Sequence, residues 1–127
     1  MSNLILITGT SKGIGRYLVD YYLKKGSKVI GCSRSEVTNK NENYHHYQLD
    51  IANEKSIKDM FLDIRKKYKN IDVLINNAGL ASMNHVLLTP GEKAKQIIDT
   101  NFIGTFLMSR ESAKLMISNK FGRIVNI

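Results

Sequence analysis

The chain has 127 residues, room for one domain, and its 43% apolar and 24% charged residues describe a globular protein rather than a disordered tail. No stretch reaches the roughly 18 apolar residues of a membrane helix, and the single cysteine, Cys32, cannot close an internal disulfide. Net charge is +8, but the nineteen Lys and Arg are scattered without a block of five, which fits a solvated basic surface and argues against a nucleic-acid site.

Met1-Ser2-Asn3 opens the chain without the charged head of a signal peptide, so a reduced, cytoplasmic setting is expected. Leu4 to Thr8 (LILIT) is short, apolar and branched, the pattern of a strand buried on both faces. Ile14, Leu18, Val19, Tyr22 and Leu23 then recur at helical spacing, and Gly26 stands where that helix would end. Lys28 to Cys32 (KVIGC) reads as a second buried strand, with Cys32 an inert strand residue, and Tyr44 to Ile51 as a weaker third.

Ile57, Met60, Phe61, Ile64 and Tyr68 mark a second helix, with Asn53 as its cap. Asp72 to Ile75 is a fourth strand running into Asn76-Asn77-Ala78-Gly79. Thr89-Pro90-Gly91-Glu92 carries the signature of a helix start, with threonine as cap, proline in the first turn and glutamate three residues after the cap. Apolar periodicity continues through Ile97, Ile98, Phe102, Ile103, Phe106 and Leu107 to Leu115 and Met116; Gly122 breaks it, and Arg123 to Ile127 begins a fifth strand. His45, His46 and His85 have no partner at ligand spacing and read as surface or loop residues, so no metal site is expected.

Strands alternating with helices require long crossovers, hence a parallel sheet with helices on both faces. The right-handed crossover makes the order 3-2-1-4-5 the economical one. The expected fold is therefore an α/β, Rossmann-type doubly wound sheet, one dinucleotide-binding domain over residues 1–127, incomplete on its C-terminal side. Between the first strand and first helix lies Thr8-Gly9-Thr10-Ser11-Lys12-Gly13-Ile14-Gly15. Such a turn aims backbone N–H groups and the positive end of a helix dipole at one point, where phosphate binds. Gly9 permits the tight turn, Gly13 lets a pyrophosphate approach, and Gly15 lets helix pack on strand. No Gly-Lys-Ser/Thr closes the segment, which argues against a nucleotide-triphosphate loop.

The turn at 8–15 and Asn-Asn-Ala-Gly at 76–79 together resemble the paired signatures of the short-chain dehydrogenase/reductase family, in the right order and after the first and fourth strands. The resemblance covers the chain from Leu4 to Ile127. It implies that Gly9, Thr10, Ser11, Lys12, Gly13 and Ile14 wrap the phosphates and ribose of a nicotinamide cofactor, with Gly15 completing the turn. It implies that Asp50 and Ile51, ending the third strand, lie against the adenine. Asp50 could alternatively just cap the next segment. Asn77, Ala78 and Gly79 would lie beside the adenine-side ribose while Asn76 holds the central strands. Asn101, in Thr100-Asn101-Phe102, matches the family's active-site asparagine, which holds a water of a proton relay from a distorted turn of the long helix.

Members of the family that use NAD place an acid at the tip of the second strand. Here that strand ends Gly31-Cys32-Ser33-Arg34, and Arg34 offers a planar fork for phosphate, with Lys12 nearby and Ser33 beside it. The resemblance thus implies NADP(H) rather than NAD(H). Glu36, about twenty positions past the glycines, is the competing ribose acid, but it falls beyond the strand.

The family's serine directly follows the strand matched by Gly122 to Ile127, and its Tyr-x-x-x-Lys comes later, so three of the four catalytic positions are not in the sequence. Tyr21 and Lys25 spell Tyr-x-x-x-Lys by accident, in the first helix and away from the strand ends. The expectation is the cofactor-binding half of a reductase or dehydrogenase for a small carbonyl or secondary-alcohol substrate, inactive by itself. Its fifth strand would present Ile124, Val125 and Ile127 as an exposed edge. The resemblance further implies a homo-oligomer, dimer or tetramer, for the whole protein, formed through the helix from about Glu92 to Asn119 together with elements outside this sequence. The outer polar residues of that helix neither require nor forbid it. A complete, non-enzymatic dinucleotide-binding module, or a subunit completed by another chain, is the alternative.

Overall fold

A computed structural model describes residues 3–127. Met1 and Ser2, the start of the segment read as lacking a signal head, lie outside the described residues. Five parallel strands, β1 (Leu4–Thr8), β2 (Lys28–Ser33), β3 (Tyr44–Gln48), β4 (Val73–Asn76) and β5 (Arg123–Asn126), form one sheet in the order β3-β2-β1-β4-β5. The expected strand order is the observed one. The apolar N-terminal strand sits in the middle, buried along nearly its whole length with Leu6 and Ile7 at 0% exposure, and its neighbours β2 and β4 are buried almost as fully.

Helices α1 (Gly13–Lys24), α2 (Glu54–Tyr68), α3 (Gly91–Ile98) and α4 (Thr105–Asn119) complete the chain. Alternation along each strand divides the core in two. Leu6, Ile30 and Leu74 face α2 and α4, meeting Ile57, Ile64 and Met108, while Ile5, Ile7, Val29 and Ile75 face the other way, under Val19 of α1. Each fully buried aliphatic side chain contributes about 1.5–3 kcal/mol, so the larger α2/α4 face dominates stability. Among the described residues no helix is long and apolar enough to cross a membrane.

Asn53 caps α2 as its spacing predicts, its side chain accepting from Ser56 N at 3.0 Å. Besides one-residue shifts at the ends of β2, β4 and β5, three features differ from expectation. The third strand ends at Gln48, three residues before Ile51, because its only neighbour β2 ends at Ser33, opposite Gln48. Leu49 N donates the last bond to Ser33 O, and Asp50 and Ile51 lie in the turn beyond. Thr89 does not cap the helix that follows: its hydroxyl donates back to His85 O at 3.1 Å, closing a 3₁₀ turn over Val86–Leu88, and α3 starts at Gly91 after an uncapped Pro90.

The third difference concerns the long helix. Between α3 and α4 the backbone widens into a π-helical stretch, Asp99–Gly104. The wider turn breaks the 3.6-residue phase, so the periodic apolar residues before it do not continue the buried face of Leu107, Met108, Leu115 and Met116. Ile98 before the stretch is 57% exposed, Phe102 within it 69%, and Phe106, just after it at the start of α4, 54%. β5 is likewise open, with all of its residues exposed and Ile124 and Val125 uncovered. The 127 residues by themselves are expected to self-associate along this edge, and Val125→Lys to shift them toward monomer in sedimentation velocity; an unchanged distribution would place the contact elsewhere.

Candidate functional site

The strand ends of β1, β2 and β4 and the start of α1 enclose an open cavity of about 340 Å³. Its floor is the glycine turn. Gly9 and Gly13 have φ of +73° and +60°, the left-handed region that costs other residues energy. Gly15 is needed for closeness: a Cβ there would lie 2.0 Å from Gly9 O and 2.6 Å from Asn77 Nδ2, whereas one at Gly13 would meet nothing within 4 Å. So α1 is pressed against the turn at Gly15 and leaves open space at Gly13. The helix begins after Lys12 without any side-chain cap and without an acidic residue in its first turn. Its first N–H groups are thus left for water or a ligand.

The turn is locked to its neighbours on both sides. Thr8 Oγ1 accepts from Asn77 N at 3.0 Å and Ala78 N at 2.9 Å, while Asn77 Nδ2 donates to Thr8 O and Gly9 O. On the other side Gly9 N donates to Cys32 O at 2.9 Å. Asn76 points to the opposite side of the sheet, donating to Ser109 Oγ and Asn126 Oδ1 and so tying β4 to α4 and β5.

Eleven of the residues singled out in the sequence line this cavity: Gly9, Ser11, Lys12, Gly13, Ser33, Arg34, Asp50, Ile51, Asn77, Ala78 and Gly79. Arg34 and Lys12 are exposed at its rim, with no ion-pair partner among the described residues. Asp50 lines the cavity, and its Oδ1 accepts from Ala52 N at 2.9 Å in the turn before α2, whose cap is Asn53. Glu36 is not in this cavity; it faces a second depression with Arg16, Asp20 and Lys40.

Four singled-out residues lie off the cavity wall. Gly15 is buried in the packing just described, and Ile14 is 59% exposed on α1. Thr10 is only 1% exposed and turns away from the cavity into a cluster of polar groups. Asn101 does sit in the distorted turn, but its amide pairs with the backbone of Leu80: Leu80 N donates to Oδ1 and Nδ2 to Leu80 O, each at 2.7 Å. One amide hydrogen and one lone pair remain for another partner. Leu80, which opens the loop expected to contribute to one wall, does join it, as does Thr100, which the π-turn brings there without a signal of its own in the sequence.

The histidines depart most from expectation. His45 and His46 belong to β3 and are half-buried: His45 stacks on Tyr47 and bonds Tyr68 Oη at 3.1 Å, and His46 enters the cluster around Thr10. His85 accepts from Leu87 N. Cys32 is fully buried in β2, and burial pushes its thiol up to about 12, so it stays protonated. Tyr21 and Lys25 sit together on the outside of α1, Nζ 5.6 Å from the ring centre, away from the cavity. Among the described residues no three His, Cys, Asp or Glu side chains gather as a metal site would require.

Comparison with known proteins agrees with this geometry. The sequence model described as short chain dehydrogenase matches residues 3–127. The 3-oxoacyl-[acyl-carrier-protein] reductase FabG of Salmonella typhimurium is 32% identical over 98% of the chain and 53% of its own length. A short chain dehydrogenase of Leptospira borgpetersenii, solved with bound NAD+, superposes with a TM-score of 0.94 at 33% identity over 99% of this chain and 51% of that one. ElxO, solved with NADP bound, gives 0.90 at 32% identity over 99% and 55%. The chain thus spans about half the length of the curated relatives it matches.

Proposed function

Because the chain belongs to the short chain dehydrogenase family, an oxidoreductase family, we propose that it forms the cofactor-binding half of an NADP(H)-dependent enzyme acting on a small carbonyl or secondary alcohol. The uncapped, acid-free start of α1 opening onto the cavity carries this reading. A dinucleotide would meet three kinds of group there. Gly9 through Gly13 and the first N–H groups of α1 would take the pyrophosphate. Asp50, Ile51, Asn77, Ala78 and Gly79 would take the adenosine half. Ser33, Arg34 and Lys12 would take a 2′-phosphate.

The preference for the phosphorylated cofactor is supported by what stands at the tip of β2. An acid there would repel a 2′-phosphate, but β2 runs out into Ser33-Arg34-Ser35, and Glu36 beyond them lines another depression. When bound, the nicotinamide supplies or accepts a hydride. The chain's own part is to hold the dinucleotide along the strand ends and to fix residues 79–80 against Asn101, which in our reading steadies a water of the proton path. The serine, tyrosine and lysine that the resemblance calls for are not among these residues. On this reading the 127-residue chain does not turn over by itself.

We further propose that the whole protein works as a cytoplasmic homo-oligomer, with Ile98, Phe102 and Phe106 in the contact; their exposure supports this. The cofactor reading is tested by titrating the full-length protein with NADPH and NADH and following nicotinamide fluorescence. A charge-assisted bond contributes about 1.5–3 kcal/mol, so NADPH is expected to bind at least about tenfold more tightly. Equal affinities, or tighter NADH, would overturn the preference.

A further inference from the structure

Resting on that NADP(H) reading, we propose that His46 is a positioning residue for the phosphorylated cofactor: by bonding the Ser35 carbonyl it frees the Ser33 hydroxyl to donate to the 2′-phosphate. The geometry begins at Gly31. A Cβ there would lie 2.1 Å from Tyr44 Oη and 2.6 Å from Thr10 Oγ1, so only glycine lets these two side chains meet across β2. They form one end of a polar chain that runs from the glycine turn to the tip of β2. Tyr44 Oη is 3.2 Å from Thr10 Oγ1 and 2.8 Å from His46 Nδ1. His46 Nε2 is 3.1 Å from both Ser33 Oγ and Ser35 O, and Ser33 Oγ donates to Ser35 O at 2.7 Å.

Donor and acceptor rules set the direction of this chain. The Ser35 carbonyl only accepts, so Nε2 carries the hydrogen that points at it, and in the neutral ring Nδ1 accepts from Tyr44. Ser35 O therefore has two donors, His46 and Ser33. Ser33, which lines the cavity, can release its own without leaving the carbonyl unpaired. Without the imidazole, Ser33 would be the one side chain holding that carbonyl, and turning it toward a ligand would give up the bond that fixes the exposed Ser35 backbone at the tip of β2.

The chain also accommodates a second proton. When Nδ1 is protonated it donates to Tyr44, whose hydroxyl swings to Thr10 Oγ1. Around the ring, Glu36 approaches from the loop after β2, Arg34 and Lys12 stand at the cavity rim, and Asp20 faces Tyr44 from α1. Arg16 and Lys40 line the depression shared with Thr10 and Tyr44, and His45 and the buried Cys32 lie on the sheet itself. Burial holds the imidazole below its usual range, against the pull of the Ser35 carbonyl and Glu36, so the ring favours its neutral form and takes up its proton only on acidification below the ordinary imidazole range. A dianionic 2′-phosphate beside it would favour the charged form, and by linkage the charged form would favour the phosphate.

The test compares wild type, His46→Leu and His46→Gln in the full-length protein, with NADPH and NADH binding measured between pH 7.5 and 5.5. His46→Leu is expected to lose about tenfold in NADPH affinity at pH 7.5 with NADH unchanged, the effect of one lost bond to a charged group. His46→Gln keeps a donor for Ser35 and is expected to restore NADPH affinity at pH 7.5. On acidification, wild type is expected to gain about fivefold in NADPH over NADH relative to His46→Gln, the scale of one nearby charge in a half-exposed site. The phosphate's own ionisation near pH 6 is common to both proteins and cancels. Equal weakening of both cofactors in His46→Leu would reduce the residue to a structural one, and identical pH slopes in wild type and His46→Gln would remove its charge from the account. If wild type prefers NADPH and His46→Leu keeps that preference, this inference alone fails. If wild type shows no preference, the cofactor reading fails and this one with it.

Discussion

Arg34→Asp is expected to weaken NADPH binding to the full-length protein by about a hundredfold and to strengthen NADH binding several-fold, reversing the preference. The change removes a guanidinium fork that can pair with phosphate and installs a carboxylate at the tip of β2. Loss of a charged hydrogen bond together with the new repulsion amounts to about 3 kcal/mol. Arg34 is exposed and has no ion-pair partner among the described residues, so its replacement leaves the fold in place. The denaturation midpoint should therefore move little while the affinities cross. Unchanged NADPH affinity in this variant would refute the assignment of Arg34, whatever the cofactor proves to be.

The glycine turn supports a second large effect, and one that separates packing from binding. Gly15→Ala is expected to destabilise the protein by about 3 kcal/mol, the upper end for overpacking, and to abolish cofactor binding. Its Cβ would press on the carbonyl oxygen and carbon of Gly9 at 2.0 and 2.8 Å, backbone atoms that cannot swing aside. Gly13→Ala should behave differently. The added methyl meets nothing, so the cost is the left-handed φ of +60°, about 1–2 kcal/mol. Its methyl stands in the open space at the start of α1, and there the loss should fall on nucleotide affinity more than on stability. Urea unfolding and NADPH titration of the two variants check this. A wild-type midpoint for Gly15→Ala would disprove the packing argument.

The central part of the fold was legible because its information is local. LILIT, KVIGC and DVLI are apolar runs bounded by glycine, lysine or asparagine, and the length of the segments between them demands parallel crossovers. Asn53 was legible as a cap for the same reason, since its partner Ser56 is three residues away. What escaped depends on register between distant strands. Nothing near residue 48 signals the end of β3; it ends because Ser33 of β2 runs out opposite it. Thr10 carries the spelling of a cofactor contact, yet its hydroxyl finds Tyr44 and His46, partners 34 and 36 residues away. The two histidines looked idle because their neighbours are assembled by the sheet and by the missing side chain at Gly31. Thr89 was misread where two local bonds compete, the cap of α3 against the carbonyl of His85, and the backward bond won.

The clasp between Thr8 and the Asn77–Ala78 backbone joins groups 69 and 70 residues apart, and this sets an order of events during synthesis. A nascent chain emerging from the ribosome can pair β1 with β2 early, but the other side of β1 stays bare until β4 has left the exit tunnel. Throughout that interval an apolar strand that ends up wholly interior is open to solvent, a target for holding chaperones. The glycine turn is half-braced over the same interval: Gly9 N can already reach Cys32 O of β2, whereas the clasp to Asn77 and Ala78 waits for β4.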